Sequence, residues 1–287
     1  MHEDIFDTID HELDDCENLE CFYVTHSVAG GTGSGLGSRM FEDLADKYPK
    51  KLIHTISIFP TSENTSDTVV QPYNTILTLS RLEDFADSVM VIDNSALNKI
   101  AIENLRMDDP DFSQINKFVS SVMCSFSSPM RFPRHSYNSH TSLIAGLIPM
   151  HRLHYLISSF TPLGLQVNNF STSSKKSNIY DIMRRLIKPQ SMLSSIPNMK
   201  SSISSGSPEI KHCYISMLNI LRGEIDCTQI NRCVSNIRDQ SLVEFVPWAP
   251  ACIQTCISYK ANSIKPKLQN GDENNDENKE PQSEINN

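Results

Sequence analysis

Residues 27–40 read SVAGGTGSGLGSRM. Five of the chain's ten glycines stand here, at Gly30, Gly31, Gly33, Gly35 and Gly37. The preceding LECFYVTHSV has a β-favouring run from Cys21 to Thr25 and reads as a strand. The following SRMFEDLADKY puts Met40 and Leu44 on one face and reads as a helix that stops before Pro49. Glycine between a strand and a helix permits positive φ and close approach of a ligand to the backbone. The helix start beyond it offers free N–H groups and a positive dipole end, a combination suited to phosphate. Thr32 and Ser34 add hydroxyl donors. A glycine-rich turn without a ligand is the competing reading, and the strand–loop–helix context weighs against it.

Spacing excludes the commonest phosphate loops. The pattern G-x-x-x-x-G-K-[ST] starts at Gly30 and Gly35, but Leu36 stands where lysine is required. The dinucleotide pattern G-x-G-x-x-G ends on Leu36 when counted from Gly31 and on Ser38 when counted from Gly33. The lysine and catalytic aspartate motifs that accompany a kinase glycine loop are missing as well.

Outward from this stretch, elements alternate. HEDIFDTIDHEL places Ile5, Ile9 and Leu13 on one helical face. KLIHTISIFP is a strand, TSENTSDT a polar loop, and VVQPYNTILTLSRLEDFA a helix entered through Pro72. DSVMVIDN is a short apolar strand, as in a sheet covered on both faces. SALNKIAIENL and FSQINKFVSSVMCSF are helices, the second with a stripe of Ile115, Val119 and Val122. The expected fold is α/β, a parallel sheet with helices on both sides. A second, mixed α/β domain is expected after the loop around SSPMRFPRHSYNSH. It contains strand-like RLHYLISSFTPL, helix NIYDIMRRLI, a Ser-rich connector, strand HCYISMLNILRG, helix CTQINRCVSNIRDQ and strand ACIQTCIS.

Composition narrows the classes. Of 287 residues, 39% are hydrophobic and 21% charged, enough for a real core. The net charge of −9, with no basic patch interleaved with aromatics, argues against nucleic acid. The eight cysteines form no C-x-x-C pair, so a zinc ribbon or a thioredoxin site has no support. The acidic N-terminus does not resemble a signal peptide, and no apolar run reaches the ~18 residues of a membrane span. Reduced thiols in an intracellular protein are the expectation.

Taken together, HSVAGGTGSGLGS, SDTVVQPYN, VIDNSALNKIA, FSQIN, LIPMHRLHYL, DIMRRLI, HCYISMLNI and FVPWAPACIQ resemble, in order from about His2 to Lys260, the gamma-tubulin branch of the tubulin family. Gln71, where beta-type members carry Glu, and Phe112, where alpha- and beta-type members carry Tyr, favour the gamma branch. The resemblance implies a partial tubulin-type Rossmann-like GTPase domain over 1–111, a central helix over 112–129, and a second (intermediate) domain over 130–262 with a Ser-rich loop at about 191–209. Residues 263–287, acidic and poor in large apolar side chains, are expected to form a disordered tail.

The resemblance also implies the site. Ser27, Ala29, Gly30, Gly31, Thr32, Gly33, Ser34 and Gly35 would wrap the phosphates of GTP. Asp67 and Gln71 would touch the ribose. Asn94, which also suits a helix N-cap, would read guanine or ribose. Phe112 would stack on the base, and Asn116, four residues on and on the same helix face, would bond the guanine edge. Outside the family frame these two would read as core plus surface. No residue is assigned as catalytic and none as a metal ligand. The acidic positions used for hydrolysis across a subunit contact fall on Ser142 and Ser139, so turnover is expected to be slow or absent. His140 nearby is expected to be a solvated loop residue.

Magnesium would accompany GTP, but the family's loops for it lie in leading strands that this sequence lacks. That predicts weak or absent GTP binding by the isolated chain, and leaves a second reading: a remnant acting only as a partner-docking module. The implied partners are gamma-tubulin complex proteins, alpha/beta-tubulin dimers and lateral copies of the chain, with neither nucleic acid nor membrane. The implied setting is cytoplasm and cytoskeleton, at microtubule-organising centres such as centrosome and spindle, in microtubule nucleation.

Overall fold

A computed structural model describes residues 2–60, 69–103, 110–133, 137, 139–161, 178–195, 213–223, 225–240 and 242–259. The expected acidic tail and Asp67 lie outside these residues, as does most of the Ser-rich segment.

Strands β1 (Cys21–Ser27), β2 (Leu52–Phe59), β3 (Ser88–Asp93) and β4 (Tyr155–Ile157) form one sheet in that order, all pairs parallel. In β2 the five residues from Ile53 to Ser57 are all buried, so this strand is covered on both faces. Alternation along β2 sends Ile53 to one face and Ile56 to the other. On the first face, Phe41 and Leu44 of α2 (Gly37–Lys47) and Leu82 of α3 (Gln71–Phe85) pack against Ile53 and Val89. On the second, Leu97 and Ile100 of α4 (Asn94–Glu103) and Phe118 and Val122 of α5 (Phe112–Phe126) pack against Ile56, Met90 and Ile92. The expected helices on both sides of a parallel sheet are therefore present. Helix α1 (His2–Asp14) adds Phe6 to the first core, and its Asp10 carboxylate accepts from the Tyr48 hydroxyl at 2.6 Å.

Beyond α5 come two short helices, α6 (Ser128–Arg131) and α7 (His140–Ala145). Helices α8 (Ile179–Leu186) and α9 (Cys227–Asp239) share a small core of Met183, Cys233 and Ile237. Strand β5 (Cys213–Tyr214) pairs with β7 (Glu244–Phe245), and β6 (Ser216–Arg222) with β8 (Cys252–Ser258), both parallel.

Two expectations change. The strand read from RLHYLISSFTPL extends the first sheet through β4, with Val89 opposite Tyr155. The front of the Ser-rich loop is also not loop-like. Leu193 is fully buried in the second core, its N–H donates to the Ser158 carbonyl at 2.8 Å, and its carbonyl accepts from Asp93 N–H at 2.9 Å. A run of serines suggests a linker, but two apolar residues, Met192 and Leu193, were enough to dock it.

At the amino end of the strands lies a buried polar cluster. His54 stacks on Phe126 with ring centroids 4.8 Å apart, and its Nδ1 is 2.5 Å from Ser88 Oγ. His140 is fully buried in α7, its Nδ1 3.0 Å from the Tyr23 hydroxyl, which corrects the expectation of a solvated loop histidine. It shares a face with buried Leu143, so the helix turns it inward. Burial pushes His54 down to about 3 and His140 to about 4, the neighbouring His140 also opposing charge on His54. An unfolded histidine titrates near 6.5.

Both folded values lie below the unfolded one, so the unfolded chain binds more protons across that interval. The stability these groups contribute is complete above pH 6.5 and is lost as pH falls toward 4 and then 3. The urea midpoint should therefore drop between pH 7 and pH 5, and a flat midpoint there would contradict the buried neutral pair. Leu82→Ala, at a fully buried site, should cost about 2–5 kcal/mol in the same assay.

Candidate nucleotide site

Register aligns the carboxyl ends of three strands. Ser27 of β1 stands opposite Ile58 of β2, and Phe59 of β2 opposite Asp93 of β3. In open parallel sheets ligands bind in the crevice outside these ends. The glycine stretch leaves β1 here. It winds into a π-helical turn over Thr32–Leu36 and continues without a break into α2. The N–H groups of a first helical turn have no partner within the helix. Residues 28–37 contain no charged side chain. Whatever this turn attracts, it attracts with backbone dipoles.

The glycines do not serve for positive φ, contrary to the sequence expectation. Gly31 and Gly37 have φ of −70° and −57°, and among the described residues Gly223 is the glycine with positive φ. Close approach is the reason at Gly33, where an added Cβ would lie 2.5 Å from the Ser27 carbonyl oxygen. At Gly30, Gly31 and Gly35 an added Cβ would meet nothing within 4 Å. One glycine seats the turn on the strand end, and three leave backbone open to an incoming group.

The hydroxyls divide. Thr32 is exposed, whereas Ser34 is buried and its hydroxyl donates to the Gly30 carbonyl. Ser34 thus braces the turn and is not a free phosphate donor. Ser27 Oγ accepts from Ala29 N–H at 3.4 Å.

Two further residues hold this turn and a third caps α4, and the sequence reading missed all three. Asn74 of α3 donates from Nδ2 to the Ala29 carbonyl at 3.1 Å, tying the start of α3 to the loop. His26 sits beneath the turn, with Nδ1 3.0 Å from the Gly33 carbonyl oxygen and Nε2 2.8 Å from Ser57 Oγ. Asp93 accepts from Ser95 N–H at 2.9 Å and so caps α4. Asparagine directly after a Pro-Tyr helix start, and histidine just before the glycines, were visible signals without an obvious partner.

The other expected residues gather on the same side. Gln71 begins α3 half-buried, and its Oε1 is a buried acceptor without a partner among the described residues, which fits a ligand hydroxyl beside the loop. Asn94 begins α4 directly after β3, half-buried; since Asp93 does the capping, its amide is not used there. Helix α5 runs antiparallel to the strands. Its end at Phe126 stacks on His54, and Phe118 packs in the core with Ile92 near the carboxyl ends. Phe112 and Asn116 therefore emerge at the crevice end. Phe112 is 76% exposed and Asn116 is also exposed, so both face solvent.

The positions of the expected hydrolytic acids are structural serines. Ser139 Oγ accepts from Ser142 N–H at 3.1 Å, and Ser142 donates to the Ser139 carbonyl at 2.7 Å, together capping α7. Among the described residues no group of three or more His, Cys, Asp or Glu side chains is placed to hold a metal ion. No described helix is long and apolar enough to cross a membrane.

A backbone turn at a helix start, set at the carboxyl end of a parallel sheet, defines an α/β protein with a candidate anion site. Comparison with family models carries this further. Residues 1–102 match the GTPase domain of the Tubulin/FtsZ family, and residues 151–273 match the tubulin C-terminal domain. The chain belongs to the tubulin superfamily, with a first domain of its GTP-binding type.

The glycines should separate in mutagenesis. Gly33→Ala forces an overlap with Ser27 that the turn relieves only by moving, at a cost of about 1–3 kcal/mol in denaturant unfolding. Gly31→Ala should leave stability nearly unchanged, within about 0.5 kcal/mol. Equal losses would mean that the strand contact does not hold the turn.

Proposed function

We propose that this chain is a gamma-type tubulin that binds GTP on the turn at Gly30–Gly35, with Gln71 beside the ribose and Asn94, Phe112 and Asn116 around the base. The carrying observation is the uncharged turn seated by Gly33, with unobstructed backbone at Gly30, Gly31 and Gly35, at the sheet's carboxyl end. The orphan Gln71 acceptor supports it. An amide can read the guanine edge by donating and accepting at once, which suits Asn116, and the exposed Phe112 ring offers a stacking surface.

Gln71 and Phe112 carry the gamma-type choice. On that reading the chain belongs to the cytoskeleton at microtubule-organising centres. It works with gamma-tubulin complex proteins and alpha/beta-tubulin dimers to template microtubules, and GTP gates contacts rather than driving turnover. The two serines of α7 support the slow chemistry, since neither hydroxyl can act as a carboxylate and both are engaged in the cap.

Calorimetric titration of the full chain with GTP and ATP tests the assignment. GTP should bind weakly, as the sequence predicts, but in preference to ATP. Asn116→Ala should remove the preference, a loss of about tenfold for one polar contact to the base. Absence of GTP binding, or equal binding of both nucleotides by the unaltered chain, would refute it.

A further inference from the structure

We propose that His26 is a positioning residue that locks the phosphate turn through one tautomer, so that nucleotide affinity depends on the hydrogen at its Nδ1. The proposal rests on the GTP reading above. His26 is buried at the end of β1, one residue before the site begins. Its Nδ1 faces the Gly33 carbonyl at 3.0 Å and its Nε2 faces Ser57 Oγ on β2 at 2.8 Å. A carbonyl oxygen only accepts. Nδ1 therefore carries the hydrogen, and bare Nε2 accepts from the Ser57 hydroxyl. Burial lowers the His26 pKa, outweighing the Gly33 carbonyl's pull toward the protonated ring. The ring is neutral, with one donor and one acceptor, each matched. Phe41 packs edge-on at 5.1 Å and holds the ring in place.

The consequence falls on one peptide plane. The Gly33 carbonyl is engaged by His26, and the N–H of the same peptide, on Ser34, donates to the Gly30 carbonyl at 3.3 Å. Gly33 itself abuts the Ser27 carbonyl, with no room for a Cβ. This peptide is a fixed pivot, and the open backbone at Gly30, Gly31 and Gly35 is arranged around it. Ser57, on a different strand and far from the glycines in sequence, donates to Nε2 and so anchors the ring whose tautomer the Gly33 carbonyl sets.

The test uses the full chain with 15N-labelled histidine. Long-range proton–nitrogen correlation should show His26 as the Nδ1–H tautomer; the Nε2–H tautomer would overturn the lock. In GTP titrations His26→Asn, whose amide nitrogen replaces Nδ1, should stay within about threefold of the unaltered chain. His26→Gln, which keeps a polar atom only at the Nε2 position, should lose about tenfold or more, the effect of leaving a buried carbonyl unpaired. Gln binding as well as Asn would overturn the proposal. If either variant fails to fold, the tautomer of the unaltered chain decides. If the unaltered chain binds no GTP, the nucleotide reading fails, and the tautomer still judges the lock.

Discussion

The contact between Gly33 and the end of β1 is the constraint on which the site depends. A helix that follows a strand can leave it at many angles. Here the strand's last carbonyl, at Ser27, occupies the space where a side chain at residue 33 would be. The chain must therefore make its first turn directly on the strand end. The turn widens to π geometry there and then settles into the α-helical ladder of α2. Turns of this kind concentrate at functional sites because they displace backbone groups from the regular ladder. Asn74, Ser34 and His26 then hold the turn from three directions with neutral hydrogen bonds.

The sheet's two ends are built from different chemistry. At the carboxyl end, backbone amides and neutral side chains surround an open crevice. At the amino end, Tyr23, His54, Phe126 and His140 close into a buried aromatic cluster. The histidines there stay neutral because burial penalises their charge. One end is packed for stability. The other is left open around the glycine turn, with Gln71 Oε1 a buried acceptor beside it. An anion bound on uncharged dipoles needs no lysine, which is why the missing Walker lysine at Leu36 excludes one family of loops and not phosphate binding itself.

Much of the architecture was legible in the sequence. Alternation of short apolar runs with 3.6-period stripes predicted the strands and helices from α1 to α5, because both periodicities are local. Failures came where long-range contact overrode local character. The segment at Met192–Leu193 looks like a serine linker, yet it docks because Leu193 reaches a core assembled from α4, α5 and the sheet while Met192 bridges Ser159. His140 looks like a polar loop residue, and a six-residue helix turns it inward against Tyr23 and His54. Tyr155–Ile157 falls within the tubulin C-terminal match, as read, and long-range pairing also joins it to β3 as the fourth strand of the first sheet.

By itself, the sequence determined the glycine spacing, the absence of a Walker lysine and the strand–turn–helix order, since these need only neighbouring residues. It also carried the run of motifs that points to the tubulin family. Only the tertiary structure decided what each glycine is for. Gly33 is needed for contact with a strand carbonyl, and Gly30, Gly31 and Gly35 leave backbone uncovered. It also decided that Ser34 braces the turn, that Asp93 caps α4 in place of Asn94, and that His26 meets Ser57 on the neighbouring strand. Each of these depends on register and burial, which join residues that are distant in the chain.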